Sequence, residues 1–158
     1  MTVNLFHKIK KVEADKKLYR ISELYGLALS RDTDEEVAFL LLMTCLEILY
    51  LPNNNGELTF RLSVYIANTL SKYSSRLKPY RSFLAFRNLD AQEIFDKVSI
   101  LYKIRSQLVH TGCIPEKNRD QYLLHFVELS ELVRFSIIVY IDDANIFTEP
   151  QLRKNVLT

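Results

Sequence analysis

Glycine and proline are scarce in this chain, which has three Gly and four Pro among 158 residues. Tight β-hairpin turns depend on glycine and on other residues that adopt positive φ, so the composition argues against an all-β fold. The only cysteines, Cys45 and Cys113, lack CxxC spacing and are too few for a secreted disulfide framework. We therefore predict one buried thiol and one loop thiol in a reducing cytosol.

Long apolar runs and a strong net charge are also missing. The longest apolar run, residues 37–46, is about half as long as a membrane-spanning helix requires. The N-terminus carries charge early and lacks a continuous apolar segment, unlike a signal peptide, so we expect a cytoplasmic protein. The formal net charge of +2 is too small to attract nucleic acid over the whole surface. Any RNA site must therefore be a local basic patch.

Helical periodicity dominates the sequence. Hydrophobic residues make up 48% of the chain and charged residues 25%, which is normal for a globular protein. We predict that residues 1–158 form a single domain, an all-α antiparallel bundle of about five to six helices with short connections. Asp32 or Thr33 is expected to cap the second helix. Asp90 is expected to cap the start of the helix from Ala91 to about Thr111, and Gly112 to end it. The predicted segments are Val3 to about Leu29, Val37 to Leu49, Glu57 to about Tyr73, Ala91 to about Thr111, about Lys117 to Ile141, and a short helix starting near Thr148.

An arginine interrupts the apolar stripe of the helix predicted for residues 91–111. The stripe consists of Ile94, Val98, Leu101, Leu108 and Val109. Arg105 projects into its middle, where a charge is costly unless it is paired or faces a wet cleft. One interpretation is a buried ion pair with Glu47, the only charge in the apolar run of the second helix; Glu47→Gln would then destabilise the fold by roughly 1–3 kcal/mol. The other makes Arg105 the wall of an anion site, because a guanidinium matches phosphate geometry. The two interpretations are compatible.

His110 ends the same helix. It points about 140° away from Arg105 and lies roughly 7.5 Å further along the axis, on a face shared with Ser99, Lys103 and Ser106. One interpretation is a polar residue that interacts with the negative end of the helix. The other is a group that transfers protons in phosphodiester chemistry near neutral pH.

The end of this helix resembles the signature of a known superfamily. The motif lies in Leu101-Tyr102-Lys103-Ile104-Arg105-Ser106-Gln107-Leu108-Val109-His110. Its Arg and His, with four residues between them, resemble the motif of the HEPN superfamily of helical RNA-cutting domains. The likeness is closer to the Apea-like branch, because a Leu-Glu on an apolar helix precedes the motif, here Leu46-Glu47. In that branch a further helix lies between the Leu-Glu pair and the Arg–His motif. The matching residues here are Glu57-Leu58, Arg61-Leu62, Ile66-Ala67 and Leu70. The resemblance covers about residues 40–112.

The resemblance implies a helical bundle that dimerises and brings two Arg–His motifs into one cleft. Active members are metal-independent endoribonucleases without cofactors, and many are toxins or phage-defence effectors. Arg105 would stabilise the phosphate in the transition state, and His110 would act as general base or acid in attack by the ribose 2′-OH. Ser106 stands where active members often carry Asn, Asp or His, and Thr111 where the branch commonly has Gly. Implied partners are single-stranded RNA, a second copy of the chain and an antitoxin or other regulatory protein.

Basic residues supply candidate RNA contacts. Lys103 lies near the motif, and Arg81 and Arg87 belong to a basic and aromatic stretch, residues 76–87, that could neutralise and stack on RNA. The other interpretation of that stretch is a solvated loop with its aromatic rings tucked inward. We expect no metal site, because His7, His110 and His125 lack ligand spacing, and we expect His125 to be a packing or surface residue.

The sequence favours a dimeric HEPN-type ribonuclease. The alternative is a non-catalytic helical module of the same fold that binds RNA or a protein. A third hypothesis is a purely structural dimerisation domain.

Overall fold

The computed structural model describes residues 15–52, 57–73, 86, 89–114 and 119–156. Within these ranges the secondary structure is helical, with no strand, which confirms the predicted helical bundle. The part of the predicted first helix before Asp15 lies outside the described residues. The helices are α1 (Lys16–Ala28), α2 (Glu35–Tyr50), α3 (Leu58–Tyr73), α4 (Ala91–Thr111), α5 (Arg119–Asp142), a 3-10 helix (Ala144–Phe147) and α6 (Glu149–Val156).

Side chains at the helix ends fix where α2 and α4 begin. Asp34 caps α2 by accepting a hydrogen bond of 3.0 Å from the Glu36 amide, so the predicted cap at Asp32 or Thr33 was wrong by one or two positions. Several consecutive polar residues precede α2, and sequence alone does not rank them as caps. The predicted cap of α4 is confirmed, because Asp90 and Glu93 form a reciprocal capping box. Gly112 ends α4 in the left-handed conformation, with φ of 71°.

Helix α2 occupies the centre of the bundle, as its apolar sequence predicts. It contacts α1, α3, α4 and α5. Phe39, Leu42, Met43 and Leu46 are completely buried on it. Cys45 is buried on the same helix and Cys113 is exposed after α4, which confirms the predicted placement of the two thiols.

Helix α3 packs beside α4, the helix that carries Arg105 and His110, and holds it in place. The buried Ser63 hydroxyl on α3 lies 3.1 Å from the Ser99 hydroxyl on α4, and Phe60 meets Phe95 edge to face at a centroid distance of 5.9 Å. Side-chain hydrogen bonding and ring contact therefore fix the rotation of α4 about its axis.

The predicted apolar stripe of α4 was partly wrong. Val109 is 53% exposed, although it was placed in the apolar stripe of α4. Ile94, Leu101 and Leu108 are spaced seven residues apart, so their side chains point in almost the same direction and all three are buried. The Val109 side chain is turned by about 100° from that of Leu108. On α5, three large apolar residues face outward, because this helix is apolar on several sides and its periodicity does not select the buried one. They are Leu123, Leu124 and Val127.

The C-terminal elements close the bundle over α2 and α5. Phe147 lies 5.0 Å from the Tyr50 ring and 5.3 Å from the Tyr140 ring, measured between centroids. Pro150 stands in the first turn of α6, where its missing N–H leaves no hydrogen bond unmade, and the predicted start of this helix is confirmed. Among the helices described, none combines the length and apolar character needed to cross a membrane.

Candidate functional site

Arg105 on α4 and Glu47 on α2 form an ion pair at the centre of the candidate site. The Nε atom of Arg105 lies 3.3 Å from Oε1 of Glu47. The Arg105 side chain is 31% exposed and the Glu47 side chain 22% exposed. The pair is therefore half-buried, and Arg105 lies at the solvent edge of the apolar stripe rather than inside it.

The contact leaves part of the guanidinium available. Oε1 of Glu47 is buried but makes no hydrogen bond with a described residue, so its contact with Arg105 is ionic and poorly aligned. The guanidinium carbon also lies 5.6 Å from the centre of the Tyr102 ring, within cation–π range. Neither terminal amino group of Arg105 forms a hydrogen bond with a described residue. These two groups can therefore donate to a bound anion without breaking the contact with Glu47.

The electrostatics of Glu47 show which effect dominates at the pair. Burial raises the pKa of the Glu47 carboxyl, and the nearby Arg105 charge offsets this only in part. Loss of hydration thus outweighs the attraction between the two side chains. Arg105 therefore lies beside Glu47 with its side chain still 31% exposed.

His110 lies on a different side of α4. It is exposed in the last turn, as is Lys103 two turns earlier, whereas Ser106 is half-buried. Because His110 is turned by about 140° from Arg105, one chain does not bring the two motif side chains together. Within a monomer, Arg105 and Glu47 are in contact, and His110 and Lys103 form a separate exposed face.

The second group of predicted RNA contacts, Arg81 and Arg87, lies outside the described residues. Phe86, between them, is described and is buried, with Lys97 Nζ 5.9 Å from the centre of its ring. A buried ring is not available to stack on a base, so for Phe86 the inward-facing interpretation is correct.

The structure also shows a polar cluster that the sequence analysis did not predict. Glu128 on α5 contacts both Lys97 of α4 and His125 of α5, with Glu128 Oε2 3.0 Å from His125 Nδ1. His125 and Glu128 are buried, so of the two expectations for His125, a packing or a surface residue, packing is correct, and its packing partner is charged. The sequence signal was His-x-x-Glu, since residues three apart are neighbours on a helix.

Metal-ligand geometry and known relatives add nothing further to this site. In the described ranges, no group of three or more His, Cys, Asp or Glu side chains is arranged to hold a metal ion.

No family model, no curated protein and no solved structure matches the chain. The likeness to the HEPN superfamily rests on the sequence blocks around Glu47 and Arg105.

Proposed function

We propose that the chain is a metal-independent endoribonuclease of HEPN type, which works as a homodimer and serves as a toxin or phage-defence effector. The observation that carries the proposal is the state of Arg105. Its guanidinium contacts Glu47 through Nε and lies over Tyr102, while neither terminal amino group forms a hydrogen bond with a described residue. A preorganised, half-exposed guanidinium of this kind suits a phosphate oxygen.

The arrangement of the motif supports a dimer. Arg105 and His110 diverge on one chain, so a site that uses both needs a second copy. Val109 lies four residues after Arg105 on the same side of α4 and is a large exposed apolar side chain. A two-fold axis near these residues would cover Val109 and bring Arg105 close to the partner subunit's His110.

The chemistry assigned to the cleft is attack of a ribose 2′-OH on the adjacent phosphate. The attack requires a base for the 2′-OH proton, an acid for the leaving 5′ oxygen and a stabiliser of the extra phosphate charge. His110 of one subunit takes the 2′-OH proton as base and returns it to the leaving 5′ oxygen as acid, and Arg105 of the other subunit supplies the stabilising charge. Ser106 donates a hydrogen bond to the phosphate, and Lys103 contacts a flanking phosphate. The products are a 2′,3′-cyclic phosphate and a 5′-OH end.

The second candidate function is a non-catalytic module of the same fold that binds RNA or a protein such as an antitoxin. The exposed apolar side chains on α5 favour it, because Leu123, Leu124 and Val127 face outward on one helix. Contiguous exposed apolar side chains are typical of protein-binding surfaces.

Cleavage in the presence of a chelator separates the two functions. Purified protein with excess EDTA should cut single-stranded RNA and not single-stranded DNA. Removing a proton-transfer group costs roughly 10²–10⁴-fold in rate, so His110→Ala should nearly abolish cutting while the variant stays folded. Arg105→Ala should also lose activity, and the matched control is Arg119→Ala, which removes an exposed arginine 3.1 Å from Glu35. RNA binding by the wild type without any His110-dependent cutting would leave the binding module as the correct function.

A further inference from the structure

A cavity of about 140 Å³ lies between α4 and α5 and is open to solvent on one side. Its lining combines apolar and amide side chains. Ile100, Ile104 and Ile114 provide the apolar walls, and Gln107 and Gln121 stand at the edge. Tyr122 lines it with its ring, because its hydroxyl already donates to the Glu35 carbonyl oxygen at 2.7 Å.

His125 also lines the cavity, and one of its two ring nitrogens lacks a hydrogen-bond partner among the described residues. The residue is 9% exposed, and its Nδ1 is held by Glu128, whose other oxygen pairs with Lys97. The second ring nitrogen, Nε2, is buried and makes no hydrogen bond within the part of the chain that the structure describes. If Nδ1–H donates to Glu128, the neutral ring presents Nε2 as an acceptor without a donor. Native proteins rarely leave such an atom unsatisfied. Because Nε2 is also covered by protein atoms, the polar contacts to a ligand in the cavity come from the two glutamine side chains.

The size and lining of the cavity select one class of ligand. An apolar cavity of about 150 Å³ holds a benzene molecule, so this one has room for a single six-membered ring. Each glutamine amide offers a donor and an acceptor, and the isoleucine methyl groups contact the ring faces. A planar ring with both N–H and C=O groups at its edge matches all these contacts.

We propose that this cavity binds a pyrimidine ring of the uracil type. The ring comes either from a free nucleoside or from a base of single-stranded RNA. Gln107 supports the RNA source, because it lies four residues after Lys103 and three before His110 on the exposed face of α4. A strand held along that face can place one base in the cavity. The RNA source rests on the proposed function, whereas the ring site itself does not.

Isoleucine methyl NMR with uridine tests the ring site without RNA or cleavage. Ring-current shifts should appear at the δ1 methyl groups of Ile100, Ile104 and Ile114, and not at the fully buried Ile66 of α3. Gln121→Leu, at an exposed position, should weaken uridine binding by roughly 2- to 10-fold, the worth of one hydrogen bond. Gln92→Leu is the matched control, because Gln92 is exposed on α4 and bonds only to Asp96 among the described residues. Absence of selective shifts at the three cavity methyl groups, at millimolar uridine, overturns the proposal.

Binding of short RNAs to the uncleaving His110→Ala protein identifies the source of the ring. Fluorescence anisotropy should give tighter binding of an oligouridylate of about eight nucleotides than of the matching oligoadenylate. Gln107→Leu should reduce this preference, and Gln92→Leu should not. Equal affinity for the two RNAs, with uridine shifts still present, rejects RNA as the source and leaves the free nucleoside. The two proposals can fail independently of each other. If uridine shifts the cavity methyl signals of a protein that never cuts RNA, the proposed nuclease is rejected and the proposed pyrimidine site stands.

Discussion

Glu47 Oε1 lies 3.3 Å from Arg105 Nε, and yet the pKa of Glu47 is raised by burial rather than lowered by the nearby cation. The proximity of opposite charges therefore does not identify this pair as a strong stabilising contact. Its role is to orient Arg105, whose side chain remains partly exposed.

Glu47→Gln should change the free energy of unfolding by less than about 1 kcal/mol. This is smaller than the sequence-based expectation, because the pair is half-buried and Gln resembles the neutral form that burial favours. Glu128→Gln is the matched comparison, since the Glu128 side chain is 7% exposed and contacts both Lys97 and His125. Its loss should cost roughly 2–4 kcal/mol. Urea unfolding checks both variants, and equal losses would show that the Glu47 pair is stabilising after all.

Glu47 should also give stability a definite pH dependence. Its folded pKa lies above the ordinary value of 4.5, so between those two values the native state binds more protons than the unfolded state. The contribution of Glu47 to stability is present at pH below 4.5 and is lost as pH rises through the folded pKa. The stability of Glu47→Gln relative to wild type should therefore rise across this window and then level off. A fall across the same window would mean that attraction to Arg105 exceeds the cost of burial.

The two thiols should differ in reactivity. Burial raises the pKa of Cys45 to about 12, and its Sγ lies 3.7 Å from the Ile21 carbonyl oxygen, whereas Cys113 is exposed. Because the thiolate is the reactive form, a chromogenic disulfide reagent should modify one thiol per native chain and two after denaturation. Cys113→Ser should abolish the native reaction. Fast modification of native Cys113→Ser would show that Cys45 is accessible.

The proposed dimer should depend on Val109. This side chain is exposed beside Arg105, so Val109→Lys should shift the protein from dimer to monomer in light scattering while leaving thermal melting almost unchanged. Leu124→Lys on α5 is the control, since Leu124 is equally exposed but lies on another helix. A strict monomer for the wild type at micromolar concentration would contradict the proposed assembly.

Particular residues show how far the sequence predicts the structure. The contact of Glu47 with Arg105 was predictable because each is the charge that interrupts an apolar helix face, and two such charges tend to meet. The ends of α4 were predictable because Asp90 and Gly112 act through local backbone geometry.

The cluster around Glu128 and the outward face of α5 were not predictable in the same way. Apolar residues occur on several sides of α5, and only its packing against other elements, α2 above all, selects which side is buried. The distance between Arg105 and a second His110 depends on another chain, which periodicity within one sequence does not specify.

The most direct test of the proposed nuclease is a mixture of two inactive variants. Arg105→Ala and His110→Ala subunits, refolded together, form mixed dimers that retain one Arg105 and one His110 on different chains. If the cleft combines these residues from two subunits, the mixture should release more 2′,3′-cyclic phosphate from single-stranded RNA than the two variants do separately. An activity no greater than the sum of the two separate variants, with mixed dimers verified by native mass spectrometry, would contradict a shared Arg105–His110 site.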